Sequence, residues 1–409
     1  MTGGPDLRTA RDARSAAAPA AAFVAFDRFP GPKGSAVHIG RSAGALFEHF
    51  GSGLLACLGG GLLPIAQREP GFDIIRFVEP IPNLLDRADA FACFVDDTLR
   101  RHRDTLQVVQ VRDPWSAAPA LADPRRRHRV VYEANGFPSI ELPMAWPGVP
   151  ADTLAQIARI EDACLAGADA VVTPSATIAA CAIRKGADPN RVTVVPNGAD
   201  PVGATERPPG APRRYLVYVG ALQRWQGFGT LLRAMARLTD LDVDLVVCSS
   251  WPRRRAKDWV RFTHRLGIAD RVHWVYEQPH DLIAGWLAHA EASVAPLADV
   301  ARNVEQGCCP LKVVESMAAG TPVVASDLPC VRELVDDTTA KLVPPDRPAQ
   351  LARALRVLLD DPAHRRALGE AGRRRAAERF TWDRADATLR TVWDGLTAPA
   401  PDHPALALR

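Results

Sequence analysis

From residue 22 onward, short apolar runs alternate with longer amphipathic stretches. That alternation is the pattern of strands and helices wound about a parallel sheet. AFVAF (22–26), GLLACL (53–58), DIIRFV (73–78), AFACFV (90–95), LQVVQVR (106–112), HRVVYEA (128–134), DAVVTPS (169–175) and RVTVVPN (191–197) read as strands. The rhythm stops over GADPVGATERPPGAPRR (198–214), which is rich in Gly, Pro and Arg and has no period. It restarts at YLVYVG (215–220) and runs through VDLVVCSS (243–250), RVHWVY (271–276), ASVAPL (292–297), TPVVASD (321–327) and KLVPP (341–345). The fold class is therefore α/β, with two doubly wound, Rossmann-like halves facing a central cleft. Ligands of open parallel sheets bind beyond the carboxyl ends of the strands, so both halves contribute to one site. The boundaries read as a tail at 1–20, a first half at 21–200, a linker at 201–214 and a second half at 215–379. A further helix follows at 380–396, capped by Thr381 with Ala385, Leu389, Val392 and Leu396 on its apolar face, and then a tail at 397–409.

Composition removes several function classes. Fifty basic against 47 acidic residues leave a net charge of +3, too near neutral for a dedicated nucleic-acid binder. No run approaches the ~18 apolar residues of a membrane span, so membrane contact is at most peripheral. The first residues weakly resemble a signal peptide, but Asp6, Asp12 and Pro19 interrupt it, and a flexible tail is the better reading. The eight cysteines form no C-x-x-C pair and lie in apolar stretches, as in a reduced cytoplasmic protein. The ten histidines show no H-E-x-x-H pattern, so no catalytic metal is expected.

Two segments could carry chemistry. Pro30 to Ser35, with Lys33 and Gly34, follows the first strand and opens a helix. It reads equally as an anion cradle at a helix start or as a tight turn without a ligand. The other is ARNVEQGCCPLKVVESMAAGTPVVASDLPCVREL (301–334), where Gly307 and Pro310 frame a turn into a helix bearing Lys312 and Glu315. A lysine at the positive end of a helix is disfavoured unless an anion complements both, which points to a phosphate. Glu315, one turn deeper, can accept hydrogen bonds from vicinal hydroxyls such as those of a ribose. The plainer reading is an i, i+3 surface ion pair. The arginine runs at 125–129 and 253–255 read as solvated faces, His38 as a surface histidine, and Asp96 and Asp97 as a solvated loop.

Residues 215–396 resemble the C-terminal half of a family 4 glycosyltransferase of the GT-B fold, through VYVGALQRWQG (217–227), PLKVVESMAAGTPVVASDLPCVREL (310–334) and FTW (380–382). PGPKG, VTPS (172–175) and VVPNGAD (194–200) extend the resemblance over the first half. It implies glycosyl transfer from a nucleoside-diphosphate sugar, with retention and without a metal or a separate cofactor. The acceptor would be a small molecule, a lipid or a saccharide, and the last helix would cross back onto the first half. Lys312, Arg224, Glu133 and Asn135 become the candidate catalytic residues. Gly34, Lys33, Gly220, Gly307, Leu311 and Glu315 become the donor-binding ones. The chain departs from the common pattern in three places. Gly307 stands seven intervening residues before Glu315, where an acid is usual, and the nearest acid, Glu305, is out of register. Ala221 and Gln226 replace an Arg and a Lys, and no His follows VVYEA, where Glu133 and Asn135 are the nearest polar groups. A Trp-x-Gly loop and a Pro-Leu-Lys helix start mark the subgroup. The alternatives are a sugar-nucleotide epimerase or hydrolase on this fold, or a catalytically silent nucleotide-sugar-binding subunit.

Overall fold

The computed structural model describes residues 18–397, so the two expected tails lie outside the described residues except at their innermost positions. The first sheet comprises β1 (Ala21–Arg28), β2 (Gly53–Leu58), β3 (Ala66–Glu69), β4 (Phe72–Phe77), β5 (Val108–Val111), β6 (Arg129–Glu133), β7 (Ala170–Thr173) and β8 (Val192–Val194). Their order is β3-β4-β2-β1-β5-β6-β7-β8. The second comprises β9 (Tyr215–Gly220), β10 (Asp244–Ser249), β11 (Val272–Tyr276), β12 (Ala292–Ala295), β13 (Val323–Ser326) and β14 (Ala340–Val343), in the order β11-β10-β9-β12-β13-β14. Neighbouring strands are parallel throughout, save the antiparallel hairpin of β3 on β4. In each sheet the order reverses beside the first strand, between β1 and β5 and between β9 and β12. The chain parts its loops at those two points and leaves a crevice there.

The central strands are buried on both faces, which is why they are near-continuous apolar runs rather than alternating ones. One expected strand is a correction. AFACFV (90–95) lies inside the helix Leu84–Arg101, capped by Asn83, whose side chain accepts from Leu85 N and Asp86 N. The buried residues of that helix, Ala88, Phe91, Val95 and Leu99, recur at helical spacing, while Cys93 between them is exposed. The aspartates expected in a loop sit on the same helix and pair i, i+4: Asp96 with Arg100 and Asp97 with Arg101. The polar strand β3 was not expected.

The helix Trp382–Thr397 comes last in sequence but packs on the first half. Trp382, Ala385, Leu389 and Trp393 join Phe47, Val172 and Val195 in one apolar cluster. Trp393 is fully buried, and its indole N–H donates to Gln110 Oε1 at 3.0 Å. No helix among the described residues is long and apolar enough to cross a membrane.

Candidate active site

The two crevices face each other across a cleft of about 470 Å³. The end of β1 and the Pro32–Ser35 loop line it from one side, and the ends of β9 and β10, the segment after β11 and the helix Leu311–Ala318 from the other. The approach is close. A Cβ on Gly34 would stand 3.0 Å from Leu311 Cδ1, so the start of the helix Gly34–Phe50 nearly touches the start of the helix Leu311–Ala318. Two helix N-termini therefore open on one cavity, each with backbone N–H groups that lack partners along the helix.

Lys312 is only 8% exposed. Its ammonium donates to Gln226 Oε1 at 2.7 Å and lies 4.2 Å from the centre of the Tyr218 ring. Among the described residues no carboxylate reaches ion-pair distance of it. Burial lowers its pKa from 10.5 to about 7, against the pull of Cys308 and Glu315. A buried cation with no carboxylate at ion-pair distance gains from an incoming anion. The fit around it is tight: Gly220, at φ 127°, ends β9, and a Cβ there would stand 3.3 Å from Lys312 Nζ. Glu315 lines the same cleft, with His280 Nε2 3.5 Å away, and burial raises its pKa. Glu315 and Lys312 thus share a helix face, as the spacing implied, but turn toward the cleft rather than pairing at the surface.

A second cation in the cleft has no counterpart among the residues singled out from the sequence. Arg302 begins a π-helical turn, Arg302–Gln306, and its guanidinium lies 5.6 Å from the centre of the Trp225 ring. Its one carboxylate partner among the described residues, Glu141 at 3.1 Å, comes from the first half. Asn303 fixes the turn by donating to the Trp225 and Ala298 carbonyls, both at 2.8 Å. The loops after β9 and β12 are thereby tied together beside the crevice of the second sheet. No sequence motif signals this arrangement, because it depends on a turn folding back onto the Trp-x-Gly loop.

Other expected site residues lie elsewhere. Arg224 is exposed and does not line the cleft; its neighbours Gln223, Trp225 and Gln226 do. Lys33 lines the cleft but is mostly solvated, with Asp27 at 3.7 Å. Gly307, at φ 92°, faces the first half, where a Cβ would stand 2.7 Å from Thr177 Cβ. It serves close packing between halves, not the cleft lining. Glu133 and Asn135 line a separate, small cavity under the last helix. Glu133 is bound on all sides, by Arg112 and Asn135 at 2.7 Å, Gln110 at 2.7 Å and His38 Nδ1 at 3.1 Å. Burial opposes its charge, but His38, Arg112 and the amides hold its pKa below the ordinary value. His38 is buried, not a surface residue, and burial lowers its pKa to about 4. The cluster reaches the cleft through one contact, Arg112 Nη1 to the Ser35 carbonyl at 3.4 Å.

Bonds also join the halves around the 302–309 segment. Gln306 donates to Glu141 at 2.9 Å and accepts from Phe137 N at 3.0 Å. Glu333 caps the helix Ala176–Arg184 from the other half, accepting from Ala176 N, Thr177 N and the Thr177 hydroxyl at 2.5–2.9 Å.

Comparison with known proteins gives this site a family. Residues 33–198 match a family model described as a glycosyl transferase 4-like domain, and residues 213–361 one described as glycosyl transferases group 1. An MMP alpha-(1->4)-mannosyltransferase of Mycolicibacterium hassiacum is 33% identical over 209 residues, covering 50% of this chain and 49% of that one. The chain thus spans about half the length of the curated relatives it matches. Among solved structures, sucrose-phosphate synthase from Thermosynechococcus elongatus superposes with a TM-score of 0.74 at 20% identity, over 92% of this chain and 98% of that one. Anabaena HepE in complex with UDP-glucose gives a TM-score of 0.69 at 15% identity, over 91% and 99%. With one family domain on each half, and the two parallel sheets enclosing the cleft between them, the chain belongs to the family 4 glycosyltransferases of the GT-B fold.

Proposed function

We propose that this protein moves a sugar from a nucleoside-diphosphate sugar to an acceptor hydroxyl, with retention of the anomeric configuration, in the cytoplasm. The observation that carries this reading is the pair of Lys312 and Arg302 in one cleft: among the described residues the buried ammonium meets no carboxylate, and the guanidinium beside it meets one, Glu141. A diphosphate laid across them, with the helix starts at Gly34 and Leu311 on either side, meets positive potential from four directions. Preorganised charge of this kind acts where negative charge develops on the leaving group, and it usually contributes more to such catalysis than any other single effect. Glu315 then accepts hydrogen bonds from the ribose. Retention follows by attack on the face from which the diphosphate departs. The anomeric C–O bond breaks, the acceptor oxygen bonds to the same carbon, and the acceptor proton goes to the departing phosphate oxygen. The Glu133 carboxylate, bound by four partners away from the cleft, is not the base in this scheme. Closure of the halves excludes water, which otherwise competes as acceptor.

The UDP-glucose complex of HepE makes uridine-based donors the first to try. The test is incubation with a panel of nucleotide sugars, alone and with sugar, lipid and small-molecule acceptors. Nucleoside diphosphate release is followed and the product anomer assigned by NMR. Transfer with a retained anomer is expected. An epimerised donor, hydrolysis alone, or binding without turnover in every combination overturns the proposal.

A further inference from the structure

The turn that joins Arg302 to Lys312 carries one member of a pair of thiols that sugar transfer does not use. Cys308 Sγ lies 3.6 Å from Cys330 Sγ, and both residues are buried. Cys330 belongs to the short helix Pro329–Arg332 after β13, so the contact links two segments far apart in sequence. Other buried cysteines are inert small hydrophobes: burial raises Cys164 and Cys248 to about 12 and Cys57 to about 11. Cys308 differs. Its hydrogen bond with Cys330, together with Arg302 and Lys312, lowers its thiol to about 7 in spite of burial. Cys330 moves the other way, its thiol held protonated by the same contact. A thiol that ionises readily, 3.6 Å from one that does not, is the arrangement of an attacking and a resolving cysteine.

We propose that Cys308 and Cys330 are an oxidisable dithiol, whose two-electron oxidant is a small peroxide. The Cys308 sulfur attacks one oxygen of hydrogen peroxide and the O–O bond breaks, giving a sulfenic acid; the departing oxygen leaves as water with the proton of the Cys308 thiol. The Cys330 sulfur then attacks the Cys308 sulfur and the S–O bond breaks. The second water carries off the Cys330 proton. Two thiols are oxidised by two electrons in all, and one peroxide becomes two waters. Arg302, which flanks Cys308, also lines the cleft. Bonded sulfurs sit about 2.05 Å apart, so closure from 3.6 Å draws the turn and the Pro329–Arg332 helix toward each other. That turn is held on both sides: Asn197 donates to the Cys309 carbonyl at 2.8 Å, and Gly307 packs on Thr177. The displacement therefore passes to Arg302 before it and Lys312 after it. A misplacement of about 1 Å in a site of this kind can cost about 100-fold. The chemistry stands apart from the proposed function; the effect on the donor site rests on it.

The experiment uses the reduced full-length protein, treated with hydrogen peroxide, quenched, alkylated and mapped by mass spectrometry. A Cys308–Cys330 cross-linked peptide, lighter by two hydrogens and reopened by dithiothreitol, is expected. Cys330→Ala should instead accumulate a Cys308 sulfenic acid that dimedone traps. Peroxide that oxidises exposed Cys93 in the native protein but leaves this pair reduced overturns the proposal, as does a cross-link seen only after unfolding. Calorimetry with uridine diphosphate on the reduced and oxidised forms then reads the coupling, with a loss of affinity of about 10- to 100-fold expected. Equal affinity of both forms overturns the coupling. Should no nucleoside diphosphate of the donor panel bind either form while the cross-link is found, the donor reading fails and the dithiol stands.

Discussion

Lys312 and Glu315 are legible in the sequence because a lysine at a helix start is an electrostatic oddity, and the i, i+3 spacing places its neighbour on the same face. Arg302 is not, because its place depends on a π-helical turn that brings it onto Trp225. His38 misleads for a related reason: a helix position does not show which neighbour covers it, and here Trp382 lies edge-on at 5.9 Å. The two legible residues should separate in kinetics. Lys312→Ala is expected to lower turnover more than donor binding, since it acts on charge that develops in the reaction. Glu315→Ala is expected chiefly to weaken donor binding, because the ribose does not react. Each loss amounts to about 1.5–3 kcal/mol, roughly 10- to 150-fold in one parameter, with thermal unfolding of each variant compared with the parent first. Lys312 also makes donor binding depend on pH. Burial brings its pKa down to about 7, and a bound diphosphate raises that value. Binding of uridine diphosphate at pH 8 should therefore take up a proton, up to about one per site by linkage, read by calorimetry in buffers of different ionisation enthalpy. For folding the sign is separate. The unfolded lysine holds its proton to about 10.5 and the folded one only to about 7, so this residue's contribution to stability rises with pH across that window. Lys312→Met should accordingly stabilise the protein most below pH 7, and less as pH rises, in denaturant titrations.

At the level of elements, strands buried on both faces are readable as short apolar runs, and most fall where expected. AFACFV fails because a six-residue window contains both periods, and only the longer series through Ala88 and Leu99 reveals the helix. The hairpin strand β3 escapes because its sequence, AQRE, has no apolar signal and sits at a sheet edge. The last helix shows how far an amphipathic pattern reaches. Ala385 and Leu389 do face the apolar cluster, yet the residue that anchors the helix is Trp393, fully buried against the first half and bonded to Gln110. Trp393→Ala leaves the Gln110 amide oxygen without its indole donor as well as opening a cavity, and should cost about 3–5 kcal/mol in thermal or denaturant unfolding. Trp393→Phe keeps most of the volume and should recover much of that loss.

For the whole molecule, the linker announces itself by composition, but the bonds between halves do not, since they join residues as distant as Thr177 and Glu333. Glu333 supplies from one half the cap of a helix in the other. Glu333→Ala should cost about 0.5–2 kcal/mol as a lost cap, and should enlarge the radius of gyration measured by small-angle scattering. Addition of a donor nucleotide should shrink the radius of the parent protein, the mark of hinge closure. The hinge itself has an unusual construction. The chain leaves the first half at Gly198–Ala199 and returns at Thr381, and the two crossings lie side by side: Ala199 N donates to the Phe380 carbonyl at 2.9 Å, and a Cβ on Gly198 would stand 2.3 Å from Trp382 N. Two adjacent strands of backbone can bend together like a strip, but they resist being twisted about each other. Opening and shutting of the halves is therefore expected to be easier than twisting, and to survive cutting. A protease nick between Gly203 and Gly210 would yield two fragments that still travel as one particle, because the second carries at its far end the helix that completes the core of the first.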